Sequence, residues 1–286
     1  MSTAPKSHLV STGSSFNKTY YTRIARIFDT VAPAYDCQEL RFFRKGAHVL
    51  SQLMPLKGDE HLLDVGTGTG EVALAISKRV KQGKVTGIDV AEEMLKRARE
   101  KAISRGVSNI TFEKRDILDG HPRQGIFQGA VSGFAVSLFP DIELCVKAIA
   151  KCVCEGGFVA ISTFTQQTFE PHISQAFSDA EQVGAAIPGA KERKRFSTQV
   201  EHCQIFQAAG LRQVKSDTMQ FGYVLENLDA WWRFLSNSGF RGILMDMTPD
   251  QLKNYQELHY RQMDRVFGDS GFNINIPVRF TLGWKN

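Results

Sequence analysis

The chain has 286 residues, 42% hydrophobic and 23% charged, with a formal net charge of +5. That balance is ordinary for a soluble globular protein with a full core, and so mild a basicity is weak evidence for a nucleic-acid partner. No apolar run approaches a membrane span and the N-terminus lacks a hydrophobic signal core, which points to a cytoplasmic protein. Cys37, Cys145, Cys152, Cys154 and Cys203 form no C-x-x-C pair and are odd in number, so they read as reduced thiols rather than a disulfide framework or zinc site.

Residues 1–18 are rich in Ser, Thr and Gly and are expected to form a flexible tail. Residues 20–53 look helical, with a break around Ala32-Pro33-Ala34. A short strand, Leu62–Val65, then runs into Gly66-Thr67-Gly68-Thr69-Gly70 and a helix expected over Glu71–Lys81, with Val72, Ala73, Ile76 and Val80 near one face. A second strand, Lys84–Asp89, precedes a helix from Ala91 to Arg105. Further strands are expected at Asn109–Arg115, Gly129–Phe134 and Gly157–Phe164, with a helix over Ile142–Val153 that places Cys145 and Cys152 on an apolar face with Leu144, Ala148 and Ile149.

Residues 165–197 show no clean period and read as an insertion after the fifth strand, on the carboxyl edge of the sheet. Within it Lys191-Glu192-Arg193-Lys194-Arg195 is a dense basic cluster, read as a solvated loop or, alternatively, a docking patch for acidic groups. Then follow a helix over Gln199–Ala209, a strand within Arg212–Leu225 and a helix over Leu228–Ser236 that carries Trp231 and Trp232. Thr248-Pro249-Asp250-Gln251 forms a capping box that opens a helix to about Phe267, and Pro277–Gly283 is the last strand. The alternation implies an α/β fold with a doubly wound, mostly parallel seven-stranded sheet. One domain over 19–286 is expected, with 19–53 as an N-terminal cap and 165–197 as an inserted substrate cap.

The glycine loop carries the chemistry. Gly66, Gly68 and Gly70 can take positive φ and let backbone approach a ligand. Asp64 precedes them, and Asp89 ends the next strand. A nicotinamide dinucleotide calls for G-x-G-x-x-G and a loop shaped for pyrophosphate. The spacing here is G-x-G-x-G directly after an acid, which suits a sulfonium amino acid better. S-adenosylmethionine is therefore the expected cofactor, with Asp89 on the ribose, Asp64 serving the ammonium group, and the helix N-terminus receiving the carboxylate.

Leu63–Gly70, Gly87–Leu95 and Arg115-Asp116-Ile117 resemble the first three motifs of the class I S-adenosylmethionine-dependent methyltransferases. The resemblance implies the Rossmann-like methyltransferase fold and a cofactor set of Asp64, Gly66, Thr67, Gly68, Gly70, Asp89, Val90, Met94, Asp116, Ile117 and Gly133. Asp116 would meet the adenine amino group and Ile117 would cover the ring. Ile27–Asp36 resembles the segment that folds over the cofactor in methyltransferases of the ubiquinone/menaquinone type. Gln128 stands where an acid is usual in the fourth motif.

Methyl transfer requires close alignment of the nucleophile, and a base only if the nucleophile must lose a proton. The candidate catalytic residues are Tyr20, Tyr35 and His172, while His259 reads as a core histidine. Aromatic residues of the caps (Tyr20, Tyr21, Phe28, Tyr35, Phe42, Phe43, Phe169 and Phe177) favour a small apolar or aromatic methyl acceptor, with no nucleic acid and no metal. An RNA methyltransferase, a nicotinamide-dependent oxidoreductase and a non-catalytic cofactor-binding regulator are the alternative readings. The sequence leaves the oligomeric state and the acceptor atom open.

Overall fold

The structure, a computed structural model, describes residues 12–119, 123–186, 198–267 and 271–286. In chain order the elements are α1 (Thr12–Val31), α2 (Phe42–Leu53), β1 (His61–Val65), α3 (Glu71–Ser77), β2 (Lys84–Asp89), α4 (Glu92–Ser104), β3 (Ile110–Lys114), β4 (Phe127–Gly133), α5 (Ile142–Cys152) and β5 (Val153–Phe164). They continue with α6 (His172–Gln182), α7 (Gln199–Ala208), β6 (Leu211–Gln220), β7 (Tyr223–Leu225), α8 (Leu228–Ser236), α9 (Arg241–Leu244), α10 (Pro249–Phe267), β8 (Phe272–Ile274) and β9 (Pro277–Lys285). Short 3-10 turns lie at Ala32–Ala34, Gln38–Leu40, Ile117–Asp119 and Val136–Leu138.

Seven strands form one sheet in the order β3-β2-β1-β4-β5-β9-β6. β9 runs antiparallel to β5 and β6, and the remaining pairs are parallel. The expected mostly parallel, doubly wound architecture is therefore present. Adjacent residues of β1 serve opposite faces: Leu62 joins a core with α2 and α3, and Leu63 joins one with α5 and α7. Burial on both faces is why these strands read as continuous apolar runs. Each fully buried Leu or Phe contributes roughly 1.5–3 kcal/mol of transfer free energy. The sheet order reverses beside β1, whose neighbours are β2 and β4, so a crevice opens at the carboxyl ends of these strands.

Several boundaries differ from the sequence reading. α1 starts at Thr12, inside the segment expected as a tail, while residues 1–11 lie outside the described residues. α3 stops at Ser77 instead of Lys81, because the Arg79 and Val80 amides turn back to the Ile76 carbonyl and Val80 enters the core. Cys145 and Cys152 are buried as expected, but Leu144 is 49% exposed. The stretch 212–225 holds two strands, and the second, β7, pairs with β8 in a separate ribbon.

The expected insertion contains a helix, α6. Its buried positions are His172, Ile173, Ala176, Asp179 and Ala180, a helical spacing in which two members are polar. Those two masked the apolar period. Ile187, Pro188 and the basic cluster 191–195 lie outside the described residues.

The C-terminal helices meet through a buried polar chain. Trp231 Nε1 donates to His259 Nε2 at 2.8 Å, and His259 Nδ1 faces Asp179 Oδ2 at 2.7 Å. Gln175 Nε2 donates to Asp179 Oδ1 at 2.7 Å. Because Nε2 accepts from the indole, the imidazole proton sits on Nδ1 and bonds the carboxylate. Burial lowers the His259 pKa, which agrees with a neutral ring. His259 is thus a core histidine joining α6, α8 and α10.

Candidate active site

β1 delivers Asp64 to the crevice fully buried, and after Val65 the five residues Gly66–Gly70 form the loop. Gly66, Gly68 and Gly70 have φ of 68°, 53° and 82°, a region where L side chains are strained. Gly66 is further fixed by space: a Cβ there would lie 2.3 Å from the Ala135 Cβ. At Gly68 no atom lies within 4 Å of such a Cβ, so the loop tip is open to a ligand. The Gly66 and Thr67 amides both bond the Ile88 carbonyl, at 2.9 and 3.0 Å, which ties the loop to β2.

The acids are held by different partners. Asp64 Oδ2 accepts from the Thr67 hydroxyl at 2.7 Å, while Oδ1 is buried with no hydrogen-bond partner. Burial is the main cause that pushes the Asp64 carboxyl up to about 7; the Thr67 hydroxyl and the nearby Ala73 amide oppose it, and the Asp89 charge adds to it. Asp89 Oδ2 accepts from the Gly68 amide at 2.8 Å, and Oδ1 from the Ala91 amide at 3.0 Å. Its pKa is raised by burial against the opposing pull of these amides. Asp116 Oδ1 accepts from the Leu118 amide at 2.9 Å, and burial raises its pKa also.

The N-terminal segment packs onto this edge. Val31 and Ala32 bury Met94 and Ala91, the residues that follow Asp89 and Val90. Asp29 Oδ1 accepts from the Glu93 amide at 2.9 Å, so α1 caps the start of α4. Asp36 Oδ1 accepts from the Thr69 hydroxyl at 2.8 Å, inside the glycine loop. Lys101 Nζ, on α4, reaches Asp36 Oδ2 at 2.9 Å, Glu71 Oε1 at 2.6 Å and Thr69 Oγ1 at 3.0 Å.

Tyr20 lies on α1, and Tyr35 follows the turn at Ala32–Ala34 in the same N-terminal segment. The Tyr20 hydroxyl donates to the Leu138 carbonyl at 3.0 Å. The Tyr35 pKa is raised above its ordinary value, by burial first and then by Asp36 and Asp89. Its ring stacks on Phe43 at 4.9 Å.

His172 packs edge-on against Phe272 at 4.4 Å and Trp231 at 6.1 Å, contacts that join it to β8 and α8. It is not among the groups gathered around the loop, and burial lowers its pKa.

Ile117 lies in the core beneath β1 and β4. Gly133 ends β4, where a Cβ would meet Val72 Cγ2 at 2.7 Å. Next to it Phe134 takes a φ of 60°, and its ring lies where a Gly46 Cβ would be, 2.7 Å away.

Above these strand ends the cap aromatics pack on one another. Phe43, Phe134 and Phe164 have mutual centroid separations of 5.2, 4.9 and 6.3 Å. Phe42 and Phe169 extend the cluster. An open cleft of about 660 Å³ lies between α1 and the ends of β2 and β3, lined by Tyr21, Thr22, Ala25, Arg26, Asp29, Thr30, Val90 and Lys114. Val90 is the predicted cofactor residue in its wall. Among the described residues no cluster of His, Cys, Asp and Glu could hold a metal.

Sequence reasoning missed Thr69, Asp29, Asp36 and Lys101. The two aspartates lie in the segment 27–36 that carried the narrower resemblance. Lys101 is 65 residues from Asp36 and reads as an ordinary surface lysine.

The family model described as a methyltransferase domain matches residues 56–216. Nocamycin O-methyltransferase from Saccharothrix syringae is 31% identical over 137 residues, 48% of this chain and 49% of that protein. The ubiquinone/menaquinone biosynthesis C-methyltransferase UbiE from Bdellovibrio bacteriovorus is 32% identical over 155 residues, 50% of this chain and 62% of that protein. The chain thus spans about half to three fifths of these relatives. The fold is shared with phosphoethanolamine N-methyltransferase 2 from Haemonchus contortus in complex with phosphomonomethylethanolamine and S-adenosylhomocysteine, at a TM-score of 0.57 and 15% identity, covering 93% of this chain and 60% of that one. With the glycine loop, the acids at the strand ends and a domain match over more than half its length, the chain belongs to the S-adenosylmethionine-dependent methyltransferase family.

Proposed function

We propose that this chain moves a methyl group from S-adenosylmethionine to a small apolar or aromatic molecule. The observation that carries the acceptor class is the aromatic cluster of Phe43, Phe134, Phe164 and Tyr35 over the strand ends. A flat apolar acceptor seated there gains burial and ring contacts, and aromatic faces favour the positive charge that a transferring methyl carries. The names of the relatives, an O-methyltransferase of nocamycin and a C-methyltransferase of quinone biosynthesis, support the same class.

The residues fit the cofactor. Asp64 Oδ1 is a buried acceptor without a donor, a costly state that an ammonium group relieves. The open loop tip at Gly68 admits a ligand, Asp89 would hold the sugar, and Val90, Met94, Asp116 and Ile117 would border the base. Gly66, Thr67, Gly70 and Gly133 shape the cradle. When bound, the cofactor supplies an electrophilic methyl on a sulfonium.

The chain's own contribution is positional: the segment 19–53 and the described part of the insertion, 165–186, exclude water and align the acceptor. Tyr20 and Tyr35 act as hydrogen-bonding and aromatic walls rather than as bases. The five unpaired cysteines support a reducing compartment, the cytoplasm, and no helix among the described residues is long and apolar enough to cross a membrane.

Incubation of the protein with methyl-labelled cofactor and a metabolite extract tests this reading. Label in an apolar aromatic product supports it; label only in RNA, protein or charged amines overturns the acceptor class.

A further inference from the structure

Lys101 does more than decorate the surface of α4. Its side chain is 17% exposed, although it ends in a charge. The ammonium meets two carboxylates from different parts of the chain, Asp36 at 2.9 Å and Glu71 at 2.6 Å. Its third partner is the Thr69 hydroxyl at 3.0 Å, and that hydroxyl donates in turn to Asp36 Oδ1 at 2.8 Å. An ammonium has three donors and no acceptor, so these contacts use its full capacity.

The geometry closes a ring across the site. One side is the glycine loop, through Thr69, and the other is the N-terminal segment, through Asp36. Glu71 anchors the cation at the start of α3. Asp36 follows Tyr35 directly, and Tyr35 lies close enough to feel the charges of both Asp36 and Asp89. Movement of Asp36 therefore moves the aromatic wall beside the acid that would hold the sugar. Without the Lys101 ammonium, Glu71 would keep Arg105 at 3.6 Å, while Asp36 would lose the cation that fastens it and would face Glu71 as a like charge, which loosens the segment from the loop.

We propose that Lys101 is a positioning residue, whose ammonium fastens the Tyr35-Asp36 turn onto the glycine loop and thereby sets how tightly the loop holds its cofactor. The proposal rests on the reading of that loop as the S-adenosylmethionine site. It assigns Lys101 no contact with cofactor or acceptor. It acts through Asp36 and Thr69.

The test compares the full chain with Lys101→Met, Lys101→Arg, Asp36→Asn, the Lys101→Met/Asp36→Asn double variant, and Thr69→Val. Two quantities are read: the dissociation constant of S-adenosylhomocysteine by titration calorimetry, and amide hydrogen exchange over residues 31–41. Lys101→Met is expected to weaken binding by about tenfold or more and to speed exchange in that segment, as loss of a charge-assisted contact does. Asp36→Asn should do the same, and the double variant should be no worse than the more affected single, because one contact is lost in each case. Lys101→Arg should stay within about threefold of the parent, since its charge still reaches the carboxylates.

Thr69→Val keeps every charge and breaks the hydroxyl bridge, so it serves if Lys101→Met does not fold. It should also weaken binding and loosen the segment. Parent-like affinity and exchange in Lys101→Met, or in Thr69→Val if that variant is the one that folds, would overturn the proposal. Fully additive losses in the double variant would overturn it also. A parent chain that binds no S-adenosylhomocysteine, while Lys101→Met still loosens residues 31–41, would instead refute the cofactor reading and leave the fastening in place.

Discussion

The Gly68 amide donates a 2.8 Å hydrogen bond to Asp89 Oδ2, so the tip of the glycine loop and the acid at the end of β2 hold each other in position. The second oxygen is occupied by the Ala91 amide at 3.0 Å. Carboxylate lone pairs outnumber these two bonds, so the acid can still accept from sugar hydroxyls. Asp89→Ala removes both the loop's anchor and the sugar's acceptor. Affinity for S-adenosylhomocysteine should fall by about 10- to 100-fold. Calorimetric titration of the folded variant checks this, and an unchanged constant would take Asp89 out of the site.

Gly66→Ala should cost stability before it costs anything else. The new Cβ would sit 2.3 Å from the Ala135 Cβ, on a backbone with φ of 68°. Overlap and left-handed strain together should lower the unfolding free energy by roughly 2–4 kcal/mol. Adding Ala135→Gly should restore the part due to overlap and leave the part due to φ. Urea denaturation of the two variants separates the terms, and a Gly66→Ala protein as stable as the parent would contradict the packing described.

Asp64 predicts a pH signature. Its carboxyl is pushed from 3.8 to about 7, chiefly by burial. Between those values the folded chain holds a proton that the unfolded chain has lost, so this group's contribution to stability falls as pH rises from about 4 to 7 and is flat above. A cofactor ammonium favours the ionised carboxylate, so binding should release a proton below pH 7 and tighten as pH rises toward it. Titration at pH 6 in buffers of different ionisation heat measures that proton. Zero net release would contradict a role for Asp64 toward the ammonium.

Much of this was legible in the sequence because it is local. The glycines, Asp64 and Asp89 sit within one β-α-β unit, and Thr248 and Gln251 form the expected capping box, with reciprocal bonds of 3.0 and 3.2 Å. What stayed hidden is long-range or polar. α6 is masked in the sequence because two polar residues occupy core positions, His172 against the Trp231 and Phe272 rings and Asp179 bonded to His259. The surroundings of the Tyr35 hydroxyl, with Asp36 and Asp89 nearby, are also set by distant parts of the chain. Lys101 had no signal because its partners come from α3, the loop and the N-terminal segment at once.

Trp231→Phe tests the C-terminal helices. The ring is 1% exposed, and the substitution removes its donor while leaving His259 Nε2 buried without one. An unmet buried acceptor and the lost ring volume should cost about 2–4 kcal/mol of unfolding free energy. Chemical denaturation measures this, and a cost near zero would show that the buried chain to Asp179 does not hold α6, α8 and α10 together.

The most direct test of the central claim is a crystal structure of the chain grown with S-adenosylhomocysteine. The ligand should lie across the carboxyl ends of β1 and β2, its amino group toward Asp64, its ribose hydroxyls on Asp89 and its chain along Gly66–Gly70. Ligand density elsewhere, or a ligand that leaves both carboxylates untouched, would contradict it.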